Sequence, residues 1–67
     1  MIAIRAKVTD KEESTFTLLT PDNYTLTLNY SLPGDILIGD TVFVEGNIVN
    51  AHSFNVIRVL KGEDIND

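Results

Sequence analysis

The chain has 67 residues, five basic against ten acidic side chains for a net charge of −5, no cysteine, and 43% hydrophobic against 22% charged residues. That composition is too apolar for a disordered chain and excludes a disulfide framework or a thiolate metal site. A domain this short buries only about 60% of its unfolded surface and is marginal alone. Nucleic-acid affinity comes largely from neutralising phosphates with Lys and Arg, so the acidic balance argues against a strong autonomous nucleic-acid binder.

The N-terminus MIAIRAKV holds only a few apolar residues before Arg5 and Lys7. It does not read as a signal peptide, and no apolar run approaches membrane length, so no membrane partner is expected. From there the period is two almost throughout. Ile2, Ile4, Ala6 and Val8 alternate with Ala3, Arg5, Lys7 and Thr9, which predicts a first strand with a polar outer face. Residues 10–14, DKEES, read as a charged loop.

Residues 15–19 and 24–30 predict a second and a third strand around Thr20-Pro21-Asp22-Asn23. Pro21 presets the backbone for a turn, and Asp22 and Asn23 tolerate turn geometry, so the pair reads as a hairpin. Its apolar set is Phe16, Leu18, Tyr24, Leu26, Leu28 and Tyr30. Its other face carries Thr15, Thr17, Leu19, Thr25, Thr27 and Asn29.

Residues 31–40, SLPGDILIGD, are broken by Pro33-Gly34 and Gly39-Asp40, which leave room for one helical turn at most. Ile36, Leu37 and Ile38 are expected to plug the end of a barrel. Residues 41–50 predict a fourth strand, with Val42, Val44 and Ile48 on one face and Gly46 marking a bulge or tight bend. Residues 54–60 predict a fifth strand whose imperfect alternation fits a bulge or burial on both sides. An acidic tail, 63–67, follows.

Five strands with little or no helix predict an all-β domain over residues 1–62, a small five-stranded OB-fold barrel, with an SH3-like barrel as the structural alternative. Closure is the expected way to remove the sheet edges. The expected core is Phe16, Leu18, Leu26, Leu28, Val42, Val44 and Ile48.

An OB-fold binds single strands on the outer face of its second and third strands, with cations for phosphates and rings for stacking. The threonine face of the hairpin has neither. Arg5, Lys7 and Lys11 are the nearby cations and the candidates for phosphate contacts. Phe43 points outward if Val42 and Val44 point inward, and exposed rings are favoured interface anchors. Ile65 is an apolar residue within the tail GEDIND and is a second anchor candidate. His52 has no second histidine or cysteine to share a metal, and Asp22, Asp35 and Asp40 follow turn logic. No nucleophile–base pair, phosphate loop or metal set is visible. No catalysis, cofactor, metal or small-molecule substrate is expected.

Three segments carry a family likeness. Residues 15–22, TFTLLTPD, then Thr25-Leu26-Thr27-Leu28, then the fourth strand TVFVEGNIVN with Gly39 to Gly46 before and within it, resemble the small subunit of replication protein A. Residues 61–67 resemble that family's acidic stretch, which leads into a helix packing with the two larger subunits. The resemblance implies a single OB-fold and a structural role in a single-stranded-DNA-binding complex of DNA replication and repair. It implies larger OB-fold subunits as partners, only weak or indirect contact with DNA, and a nuclear location. The alternative is an autonomous nucleic-acid-binding barrel of the translation-factor or telomere-capping type.

Overall fold

The computed structural model describes residues 1–50 and 53–62. Five strands form one sheet: β1 (Ile2–Lys11), β2 (Thr15–Leu19), β3 (Thr25–Asn29), β4 (Thr41–Asn50) and β5 (Ser53–Lys61). Their order is β3-β2-β1-β4-β5, and every pairing is antiparallel. The all-β class follows from the alternation read in the sequence. The expected closure does not: β3 and β5 approach each other but share no ladder, so the sheet is open.

β1 is the long central strand. Ile2 to Lys7 pair with β4, and Lys7 to Lys11 pair with β2. It runs past the loop read at residues 10–14, because Thr9 is an extra residue between the pairs Val8–Leu18 and Asp10–Thr17. Such a bulge bends the strand and raises its twist, which lets one strand serve two hairpins at different angles.

At this bend the 31–40 connection docks. The Val8 N–H donates to the Asp40 carbonyl at 2.9 Å, and the Gly39 N–H donates to the Val8 carbonyl at 2.8 Å. Leu37 to Asp40 form a turn closed by the Asp40 N–H on the Leu37 carbonyl at 3.0 Å. Gly39 has φ of 100°, a conformation that favours glycine. The result is a glycine bulge opposite Val8 at the start of β4.

The β2–β3 hairpin turns through Pro21, Asp22 and Asn23, within the turn expected at residues 20–23. The Asn23 N–H donates to the Thr20 carbonyl, and the Thr20 N–H to the Tyr24 carbonyl, each at 2.9 Å. Asn23, at φ of 71°, takes the left-handed position that asparagine tolerates.

Val8, Phe16, Leu18, Val42 and Val44 are fully buried, with Ala6, Leu28, Leu32, Ile36 and Val59 around them. The Tyr30 ring meets Phe16 edge-on, with centroids 6.3 Å apart and planes at 74°. Three expectations about the core change. Ile36 is buried, but Leu37 and Ile38 are each 59% exposed, because the turn bonded to Val8 points them outward. Ile48 is 64% exposed rather than core, because β1 accompanies β4 only as far as the pair Ile2–Gly46. Leu26 is half-buried, at the edge of the same uncovered region.

The distal part of β4–β5 explains the open seam. Glu45 pairs with Arg58 and Gly46 with Val56, which leaves Ile57 extra; Ile48 pairs with Phe54 and Asn50 with Ser53, which leaves Val49 extra. Two bulges within a few residues twist this hairpin away from a register with the short β3. The bulge predicted at Gly46 is one of them. A Cβ on Gly46 would lie 2.1 Å from the Asn55 carbonyl oxygen and 2.8 Å from the Phe54 ring, so only glycine allows β5 this close.

Two stability outcomes follow. Leu28→Ala should cost roughly 2–5 kcal/mol in denaturant unfolding, as for other buried leucines; an unchanged midpoint would put the wrong face of β3 inside. Gly46→Ala should cost at least about 1–3 kcal/mol, since β5 backbone must move; wild-type stability would contradict the close β4–β5 approach.

Candidate functional site

Cross-strand partners share a face, so the ladder registers define the outer surface. One row runs Thr25, Leu19, Lys7, Thr41 across four strands. Another runs Arg5, Phe43, Leu60. Thr25, Thr27 and Asn29 are exposed, and Thr15, Thr17 and Leu19 are half-buried. The hydroxyls of Thr17 and Thr27 lie 3.2 Å apart and form one hydrogen bond across the hairpin. These threonines are already partnered with one another, as cross-strand pairs on a solvated face often are.

The five cations fall into two groups. Lys11 is turned to the inner side of the sheet, because the Thr9 bulge places it opposite Phe16. Its ammonium donates to the carbonyls of Ile36 at 2.7 Å and Pro33 at 3.2 Å, and so straps down the 31–40 connection. Lys61 does the same from the other side, donating to the Asp35 carbonyl at 3.1 Å and lying 3.8 Å from the Asp40 carboxylate. Asp40 in turn accepts the Leu37 N–H at 2.9 Å.

Arg58 pairs with Glu45, its cross-strand partner on the outer face. Its hydrogen bond to Glu45, followed by the attraction between the two charges, raises its pKa above the ordinary arginine value. Arg5 and Lys7 remain. Both are exposed on the outer face of β1, and neither makes an ion pair among the described residues. The structure therefore brings Arg5 and Lys7 together at alternate positions of one strand and separates Lys11 from them.

Phe43 is on the outer face, as its alternation predicts, and half-buried between Arg5 and Leu60 of the neighbouring strands. Tyr24, expected inward, precedes β3 and is 69% exposed. Ile65 and His52 lie outside the described residues.

A groove of about 630 Å³ opens between the free edge of β3 and the distal β4–β5 hairpin. Ile2, Ile4, Leu26, Leu28, Ile48 and Phe54 form its apolar walls. Among the described residues its rim carries uncharged polar side chains, with Thr25, Thr27 and Asn29 along β3. It lies where the closed barrel was expected, so the sequence reading missed it. A signal was present: no charged residue stands between Asp22 and Asp35.

Among the described residues no polar or charged residue is buried, and no three acidic or histidine side chains converge on a metal-sized site. The geometry supplies surfaces for binding: a threonine face, a two-cation strip on β1 and an apolar groove. Compared with protein-family models, with curated proteins and with solved structures, the chain matches none.

Proposed function

We propose that the chain is a small all-β assembly module, an OB-type subunit that supports a heteromeric single-stranded-DNA-binding complex of the replication protein A kind, in nuclear DNA replication and repair. The observation that carries this reading is the use of its cations. Lys11 and Lys61 hold the 31–40 connection and Arg58 is paired with Glu45, so three of the five basic side chains are committed internally. Two free cations on an acidic chain neutralise too few phosphates for strong binding. The threonine face beside them carries no ring of its own for base stacking, the other main source of single-strand affinity, and the exposed Tyr24 stands in the hairpin loop before β3. A central β1 flanked by two hairpins, with β3 and β5 facing across an open seam, fits a partly open five-stranded barrel. In such an assembly the larger OB-fold subunits carry the stacking surfaces, and the half-buried Phe43 and the tail residue Ile65 are this chain's anchors for them.

The autonomous-binder reading has one observation in its favour, Arg5 and Lys7 on β1, which make no ion pair among the described residues. A labelled single-stranded oligonucleotide titrated with the isolated chain at low and moderate salt separates the two. The assembly reading expects no saturable binding in the micromolar range. Micromolar or tighter binding with a clear salt slope would replace it with the autonomous reading. Within an assembled complex, Arg5→Glu combined with Lys7→Glu should weaken oligonucleotide binding, more at low salt than at high; equal affinity at both salts would remove the β1 strip from any nucleic-acid contact.

A further inference from the structure

The sheet has two free edges, and they are built differently. β5 is protected: Ile57 bulges out of its ladder, and Arg58 and Lys61 place charge along it. Bulges and charged side chains are the usual devices that keep an edge from pairing with another chain. β3 has no charge, no proline and no bulge between Thr25 and Asn29. Its backbone groups can be assigned from the hairpin. The Thr20 N–H bonds to the Tyr24 carbonyl, so by antiparallel alternation Leu26 and Leu28 exchange bonds with β2. Thr25, Thr27 and Asn29 then direct their N–H and C=O groups to the free edge. These same residues line the rim of the apolar groove.

We propose that this edge pairs with the β3 edge of a second copy of the chain, forming a twofold dimer centred on Thr27. Charge selects the occupant. A net charge of −5 opposes the approach of a second copy over most orientations, but the described lining residues of the groove and the whole run 23–34 are uncharged. Between Thr25 and Asn29, two copies meeting here set no charged side chain opposite another. Among the described lining residues there is also no cation to hold a phosphate polymer there. Antiparallel pairing about a twofold axis is self-complementary. It sets Thr27 opposite Thr27 and Thr25 opposite Asn29, each pair exchanging N–H and C=O. On the inner side, Leu26 and Leu28 of the second copy extend the apolar surface towards Ile48 and Phe54, both incompletely covered within one chain.

Sedimentation equilibrium of the full chain over a micromolar to millimolar range tests this directly. The wild type should show a concentration-dependent monomer–dimer equilibrium. Thr27→Lys and Thr27→Glu each place like charges directly opposite across the axis, so each variant alone should dimerise about tenfold or more weakly, while an equimolar mixture recovers the dimer through the opposite charges. Circular dichroism of each variant establishes that it folds. A wild type that stays monomeric to millimolar concentration would overturn the proposal. So would a dimer that both folded variants form as well as the wild type, or a mixture no more associated than the variants alone. None of these outcomes bears on oligonucleotide affinity, so this dimer and the assembly reading fail separately.

Discussion

Val8 is the residue on which the rest of the sheet turns. On one side it pairs with Leu18 of β2; on the other its N–H and carbonyl are taken by Asp40 and Gly39. Just before it β1 belongs to both ladders, and just after it β1 belongs to β2 alone. A strand cannot leave one neighbour for another without exposing backbone groups at the parting point, and buried backbone groups must be bonded. The Gly39 bulge supplies the bonds there, and the left-handed φ at Gly39 makes the bulge possible. The completely buried Val8 side chain then sits among Phe16, Leu18 and Val42.

The consequences reach the charged groups. Because the 31–40 connection is fixed at Val8, its carbonyls at Pro33, Asp35 and Ile36 face Lys11 and Lys61. Neutral carbonyls and a partly exposed carboxylate are modest partners for an ammonium, but together they immobilise two of the chain's few cations away from the outer face. The Thr9 bulge contributes to the same end by turning Lys11 inward. The organisation of the fold, rather than composition alone, thus reduces what the protein can offer to a phosphate backbone. What it offers beside the Arg5 and Lys7 strip is uncharged: a threonine-clad face and an apolar groove next to an unprotected edge.

Much of this was legible in the residues. β2 and β4 have the bounds their alternation gives, the 20–23 turn is where Pro21 and Asn23 place it, and Gly46 marks a bulge. Local signals, period and turn chemistry, suffice for those features. What was not legible depends on neighbours far along the chain. Ile48 alternates correctly with Val44 and Gly46, yet it is exposed because β1 does not extend beside it. Leu37 and Ile38 are as apolar as Ile36, and only the bonds to Val8 decide which of the three turns inward. Lys11 read as a loop cation because a one-residue bulge at Thr9 leaves no mark in the period of so short a stretch. Closure failed as an expectation for the same reason: two bulges in β4–β5 alter a twist that alternation cannot express.

Residue-resolved amide hydrogen exchange under native conditions tests the role of Val8 most directly. If the Val8–Gly39–Asp40 contacts hold the two hairpins in one sheet, the Val8 and Gly39 amides exchange only with global unfolding, as slowly as the central amides of β1 and β4. Exchange of Val8 and Gly39 at the rates of exposed turns, with β1 and β4 still protected, would contradict the account.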